Sequence, residues 1–373
     1  MHDVMAQSLE SIEQTQNAQD KLNEQPSPVC EGPLFVVGMF RSGTSLLYSL
    51  LNQHPEIALM YEGDLAHLPS LFWFRTDTRH WLARWEFWNG TLSRHKFDTS
   101  RIPDGISDLK TAIRESYVEY ARQKKGASIW GCKSPTYSDE VSHLARTFPN
   151  ARFIIIWRDL RSICHSILKA AEKPSFFRRK GVMLRSLLGY RQLKAQCDEL
   201  VKRGIPVHQI HYEDLVRDPN STVRGICRFL QIPFDERMTS LKGADRSAVE
   251  NAAHHKLVKT EKIVARKEDL ASLPPALKNK IDRYLFLWRK QNGGSWPFYP
   301  RTLDAKAAPT PVERLFDGVR YQCLQVWYHS TPIMFSFIPV PLWKAYRKLR
   351  GRPYAVELSY RVGAGETRPS GRA

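Results

Sequence analysis

The sequence predicts an α/β fold: a P-loop-like parallel β-sheet flanked by helices, with a helical, aromatic-rich insertion. Three observations predict it. Short, continuous apolar runs such as "PLFVVG" and "ARFIIIWRD" read as strands buried on both faces. From residue 33 to 230 these runs alternate with helix-patterned segments, which argues for parallel strands joined by crossover helices and for ligands at the strands' C-terminal ends. The first run leads into "GMFRSGTSLL", where Gly38 and Gly43 keep the G-x-x-x-x-G spacing of a phosphate-binding loop just before a helix.

In chain order, residues 1–31 are polar and read as a flexible acidic tail. The folded part, 32–300, opens with the strand "PLFVVG" and a helix over Ser45 to Gln53, with Leu46, Leu47, Leu50 and Leu51 on one side. "HPEIALMYEG" is a short second strand after a His54-Pro55 turn. Residues 65–128 form an insertion of helices and loops, a lid or acceptor wall, in which Trp73, Trp81, Trp85 and Trp88 lie close together. Those aromatics line a pocket or simply pack a helix on the core. "ASIWGCKSP" is a strand ending at Lys133, Ser138 to Thr147 a helix, and Phe153 to Trp157 the clearest strand. A helix starts near Leu160, a long basic helix covers 182–203, and "IPVHQIHYEDL" is another strand. Asp218 is an N-cap and Pro219 the first residue of the next helix. A further helix covers Pro274 to Gln291, and 301–373 is a basic, apolar extension, partly disordered.

The chain has 373 residues, enough for a large core, and a net charge of +18. Residues 1–31 carry net −5, so the rest carries +23. Such a chain prefers anionic partners: phosphate-rich cofactors, nucleic acid or acidic membranes. Six scattered cysteines without a C-x-x-C pair speak against a zinc site or disulfide framework and for reduced thiols. With no signal peptide and no apolar run long enough to span a bilayer, the expected location is cytoplasmic.

Two motifs carry chemistry. In the opening loop, glycine-turn N–H groups and a helix N-terminus form an anion site, Arg41 adds a forked cation, and Ser42, Thr44 and Ser45 add hydroxyls. A Walker loop would continue with Lys; here the basic residue is Arg41, inside the loop. The bland alternative is a tight strand-to-helix turn that binds nothing. In "IIIWRDLRSICHSIL", Arg158 ends a strand, Arg161 is in the next helix's first turn, and Ser166 lies about two turns in. Arg158 and Ser166 can clasp a second phosphate; the alternative is a solvated Arg-Asp turn.

"GMFRSGTSLLYSLLNQHPEI" with "WRDLRSICHS" resembles the sulfotransferases that use 3′-phosphoadenosine 5′-phosphosulfate (PAPS), nearest to their tyrosylprotein and bacterial branch. The resemblance covers roughly 33–62, 129–170 and 206–234 and leaves the acceptor region unmatched. It implies that Arg41, Ser42, Gly43, Thr44 and Ser45 hold the 5′-phosphosulfate and Arg158 and Ser166 the 3′-phosphate, and that Tyr212 lies near adenine. It implies that Lys133 and Arg41 stabilise the transferring sulfonate, without a metal, and that the product is PAP. It also implies a general base at Glu62, 21 residues after Arg41, because the other branch's histidine position is Pro135 here. The small-molecule branch's late basic element over the 3′-phosphate has no clear match; Arg246, Lys256 or Lys259 would be its substitute.

The expected reaction is sulfonate transfer to a hydroxyl or amine of an unidentified acceptor. The alternatives are a Mg-ATP kinase or NTPase, disfavoured by the missing Walker lysine, and a non-catalytic basic nucleotide- or nucleic-acid-binding protein. No nucleic-acid motif beyond charge supports the last, so no nucleic acid is expected. The apolar segment before Trp343 and the basic residues up to Arg352 suggest an anionic membrane surface as a partner of 333–352, with docking on the fold as the alternative. Oligomeric state is not readable.

Overall fold

The structure, a computed structural model, describes residues 29–63, 65, 109–172, 176–179, 181–245, 260–264, 270–291 and 307–336, with single positions at 342, 345 and 349. Residues 1–28 of the expected 1–31 tail, the tryptophan-rich stretch, the three substitute cations Arg246, Lys256 and Lys259, and nearly all of 337–373 lie outside the described residues.

Five parallel strands, β1 (Leu34–Val37), β2 (Ile57–Tyr61), β3 (Ile129–Lys133), β4 (Arg152–Trp157) and β5 (Val207–His211), form one sheet in the order β2-β3-β1-β4-β5. In register, Phe35 faces Cys132 on one side and Phe153 on the other. The chain leaves β1 for the far edge, so the sheet's order reverses at β1 and a crevice opens beyond its C-terminal end.

Alternation along β1 divides the core. Phe35 and Val37 pack with Trp130, Phe153, Ile155 and Trp157 on one face; Leu34 and Val36 pack with Ile154 and Ile156 on the other. Both faces are covered, which is why the strands read as unbroken apolar runs. The first face carries α2 (Leu109–Lys125), α3 (Val141–Thr147), α4 (Leu160–Ala171), α5 (Val182–Lys202) and α8 (Pro275–Gln291). The second carries α1 (Thr44–Leu51), α6 (Tyr212–Arg217) and α7 (Pro219–Leu230).

Local chemistry sets the boundaries. Asp159 caps α4 by accepting from Ser162 N at 3.0 Å, and Asp218 caps α7 through Ser221 N at 3.0 Å. The expected helix over Ser138–Thr147 is instead a 3₁₀ turn, Pro135–Asp139, followed by α3. Ser134 caps that turn ahead of Pro135, and the tight turn ends before α3 begins. Tyr212 opens α6 rather than extending β5.

The sequence reading assigns no element to 311–336, yet a 26-residue helix, α9 (Pro311–Ser336), runs there. It docks by polar contacts: Asp317 accepts from Lys280 Nζ at 2.6 Å and Tyr284 OH at 2.9 Å, and Glu313 pairs with Arg283 at 2.7 Å. No helix among the described residues is long and apolar enough to cross a membrane.

Candidate active site

The loop from β1 to α1 sits where the sheet order reverses. Ser42 N bonds Met39 O at 3.0 Å, tightening the turn, and both Arg41 (φ 69°) and Gly43 (φ 103°) are left-handed. Gly43 is the N-cap of α1 and provides no side-chain cap, which leaves the first-turn N–H groups of that helix to meet an anion. A Cβ on Gly43 would stand 2.4 Å from the Tyr212 ring. A Cβ on Gly38 would stand 2.5 Å from Ser42 Oγ. The Ser42 hydroxyl is buried and makes no hydrogen bond, an expensive state for a donor unless a polar ligand meets it. These features fit a phosphate group, and the unmet Ser42 hydroxyl is the one that a bare structural turn does not account for.

On one side of the loop lies the end of β4. Arg158 donates NH1 to the carbonyl of Arg41 at 2.7 Å and stacks its guanidinium 4.1 Å over the Tyr212 ring. Tyr190 OH donates to Arg158 O at 3.1 Å. Arg41 Nε donates to Ser166 Oγ at 3.1 Å, and its guanidinium lies 5.6 Å over Phe177. The two motifs of the sequence therefore converge through Arg41, whose backbone belongs to the loop and whose side chain belongs to the Arg158–Ser166 clasp. Arg161 stands apart from this cluster, bonded to Asp282 of α8 at 2.6 Å.

On the other side lies the end of β3. Lys133 is fully buried, and its Nζ donates to Glu62 Oε1 at 2.8 Å while Glu62 N donates back to Lys133 O at 2.7 Å. The ammonium lies 3.8 Å over the Tyr61 ring, whose hydroxyl meets Ser45 Oγ at 2.9 Å. Burial works against the charge on Lys133, but Glu62 and Tyr61 outweigh it, and the lysine's pKa is raised above its ordinary value. Burial in turn raises the Tyr61 hydroxyl. Glu62 has φ 49°, an uncommon backbone state for a non-glycine residue, and its side chain is 33% exposed, open to an incoming molecule.

Seven of the ten predicted site residues fall in two clusters on either side of the loop: Arg41, Arg158, Ser166 and Tyr212, or Ser45, Glu62 and Lys133. Ser42, Gly43 and Thr44 form the floor between them. Three cations stand against one carboxylate among these side chains, a charge balance that suits an anionic ligand. Sequence reasoning missed Tyr61, whose position just before Glu62 at a strand end reads as core, and Phe177 and Tyr190, which only the folded chain brings near. Among the described residues no group of three or more His, Cys, Asp or Glu side chains is placed to hold a metal.

Residues 33–236 match the family model described as "Sulfotransferase family". The chain belongs to the sulfotransferase family. The matched region holds all five strands and the residues of both clusters and of the loop between them. Two similar curated proteins are protein-tyrosine sulfotransferase 1 of Danio rerio, 26% identical over 208 residues that cover 54% of this chain and 54% of the relative, and a putative protein-tyrosine sulfotransferase of Caenorhabditis briggsae, 25% identical over 258 residues, 67% of this chain and 77% of the relative. The match thus spans about half the length of the Danio rerio relative. Among solved structures, the sulfotransferase domain of the Synechococcus PCC 7002 olefin synthase is 17% identical with a TM-score of 0.42, covering 81% of this chain and 98% of that one.

Proposed function

We propose that this sulfotransferase-family chain moves the sulfonate group of PAPS to a hydroxyl or amine of an acceptor, releasing PAP. The observation that carries the reading is the placement of two unlike polar clusters on either side of one glycine loop: a guanidinium–hydroxyl clasp at the end of β4 and a lysine–carboxylate pair at the end of β3. A nucleotide with phosphate on both its 3′ and 5′ oxygens has use for both.

Arg41, Ser42, Gly43, Thr44 and Ser45 would hold the 5′-phosphosulfate, Arg158 and Ser166 the 3′-phosphate, and Tyr212 would lie beside the adenine. PAPS would provide an activated sulfonate on its bridging oxygen. Glu62 takes the acceptor's proton as the acceptor oxygen or nitrogen bonds to sulfur. Lys133 and Arg41 hold the negative charge that collects on the bridging oxygen as its bond to sulfur breaks and PAP keeps the electron pair. Tyr61 steadies Lys133 and ties it to the loop through Ser45. No metal enters this scheme. The six free cysteines support work in a reducing, cytoplasmic compartment. Residues 32–300 would be the catalytic domain, with the acceptor site in the 65–128 insertion.

Calorimetric titration with PAP and with ATP, each with and without Mg²⁺, tests the reading. Tight, metal-independent PAP binding with little ATP binding is expected. Mg-dependent ATP binding with no preference for a 3′-phosphate would overturn it in favour of a kinase or NTPase.

A further inference from the structure

The outward side of α9 plays no part in the proposed chemistry. Val312, Leu315, Phe316, Val319, Val326 and Trp327 lie there, each 53–68% exposed. Their spacing puts them on one stripe of the helix. The opposite side is fixed to the domain: Asp317 takes Lys280 and Tyr284, Tyr321 OH donates to Gln192 Oε1, and Leu324 fills the space above Gly181, where a Cβ would stand 2.6 Å from it. α9 is therefore held by a largely polar face and shows water its apolar one, the reverse of an ordinary surface helix. Contiguous exposed apolar stripes of this kind mark interaction surfaces.

Charge selects the partner. Arg320 is exposed beside the stripe, while Arg314 lies on the docked side near Tyr284, and the acids are paired, Glu313 with Arg283 and Asp317 with Lys280. The chain then continues through an apolar stretch, Ile333 to Trp343, into Lys344, Arg347, Lys348, Arg350 and Arg352. Leu342 and Leu349 are also exposed. An apolar stripe bordered and followed by cations matches the headgroup region of an anionic bilayer, where apolar side chains enter the acyl boundary and cations meet phosphates. A second copy fits less well, because it would set two such cationic borders together in a chain of net charge +18.

We propose that α9 seats the protein on an anionic lipid surface, the helix lying in the plane of the headgroups. The seat is close to the β1–α1 loop: a Cβ on Gly189 would stand 3.2 Å from Met39 of that loop and 3.6 Å from the Tyr321 hydroxyl of α9. The inference rests on α9 alone and stands apart from the catalytic reading.

Flotation of the full chain with vesicles tests it, comparing phosphatidylcholine alone with phosphatidylcholine containing about 30% phosphatidylglycerol. The chain should float with the anionic vesicles only, and less as salt rises. Leu315→Glu/Phe316→Glu/Trp327→Glu, all at exposed positions, should weaken the association roughly tenfold or more at an unchanged melting temperature. Trp327→Ser alone should move it in the same direction by less. Absence of flotation would overturn the proposal, as would flotation that the triple variant leaves intact. A dimer in sedimentation that the triple variant dissolves would assign the stripe to a second copy instead, and also overturn it.

Discussion

Arg41 reaches across 125 positions of sequence to donate its Nε–H to the hydroxyl of Ser166, at 3.1 Å. The contact exists because β1 and β4 are neighbours in the sheet, so the loop after one and the helix after the other open on the same crevice. Arg158 completes the junction by donating to the Arg41 carbonyl at 2.7 Å. The left-handed turn at Arg41 is thereby held from its backbone and from its side chain, and the loop is pre-organised for an anion.

Arg158→Ala should therefore weaken PAP binding strongly, by about 2–3 kcal/mol, or roughly 30-fold to 150-fold. It removes a buried cation, the bond to Arg41 O and the stack on Tyr212. Arg158→Lys should recover little, since an ammonium lacks the planar fork that meets a carbonyl and a phosphate together. Calorimetry with PAP reads both variants, and wild-type affinity in Arg158→Ala would remove this residue from the nucleotide site.

Glu62→Gln should keep PAP affinity and abolish turnover, while Lys133→Ala should lower turnover by orders of magnitude. Single-turnover assays with an identified acceptor separate these effects from binding; near-normal turnover in Glu62→Gln would discard the base assignment. The pH profile carries a further expectation. The raised pKa of Lys133 means that its ammonium persists at every pH below its ordinary value of 10.5. Whatever stability its pairing adds is fully present below that value and is lost only as pH rises through the still higher folded-state value. Activity should show no alkaline decline attributable to Lys133 short of that range.

Gly43→Ala tests the loop geometry. The residue is left-handed at φ 103°, and an added Cβ would meet the Tyr212 ring at 2.4 Å. Gly126, at φ 66°, has nothing within 4 Å of an added Cβ and so isolates the backbone cost. Gly126→Ala should cost about 1 kcal/mol and Gly43→Ala about 2–3 kcal/mol with a loss of PAP affinity. Urea denaturation of both variants measures the difference; equal costs would mean that the ring gives way freely.

The strands and the positions of the two motifs around Arg41 and Arg158 were legible in the sequence because their signals are local. β1, β3 and β4 are buried on both faces and read as continuous apolar runs, and Asp218-Pro219 announces a helix start in two residues. The pairing of Arg41 with Ser166 was not legible, because it depends on which strands are neighbours. α9 was missed for a different reason: its buried side is Asp317, Tyr321 and Gln325, so the usual rule that apolar means inward points the wrong way. Tyr61 was missed because a tyrosine ending a buried strand looks like core until its ring is found beneath an ammonium.

Tyr61 also gives the sharpest separation of roles. Its ring lies 3.8 Å from Lys133 Nζ and its hydroxyl 2.9 Å from Ser45 Oγ, so one side chain serves two partners. Tyr61→Phe keeps the ring and removes the hydroxyl's interactions with Ser45 and with Lys133. It should cost turnover less than Tyr61→Leu does, because each partly buried hydroxyl interaction contributes only about 1 kcal/mol. Tyr61→Leu removes the π face as well, a contact worth up to about 2 kcal/mol when desolvated, and leaves a fully buried ammonium with Glu62 as its remaining named partner. The lysine should then be held less firmly, and turnover should fall more than tenfold with PAP affinity little changed. Single-turnover rates and PAP titrations on the two variants decide the point. A Phe variant as impaired as the Leu variant would place the function of Tyr61 in its hydroxyl and not in its π face.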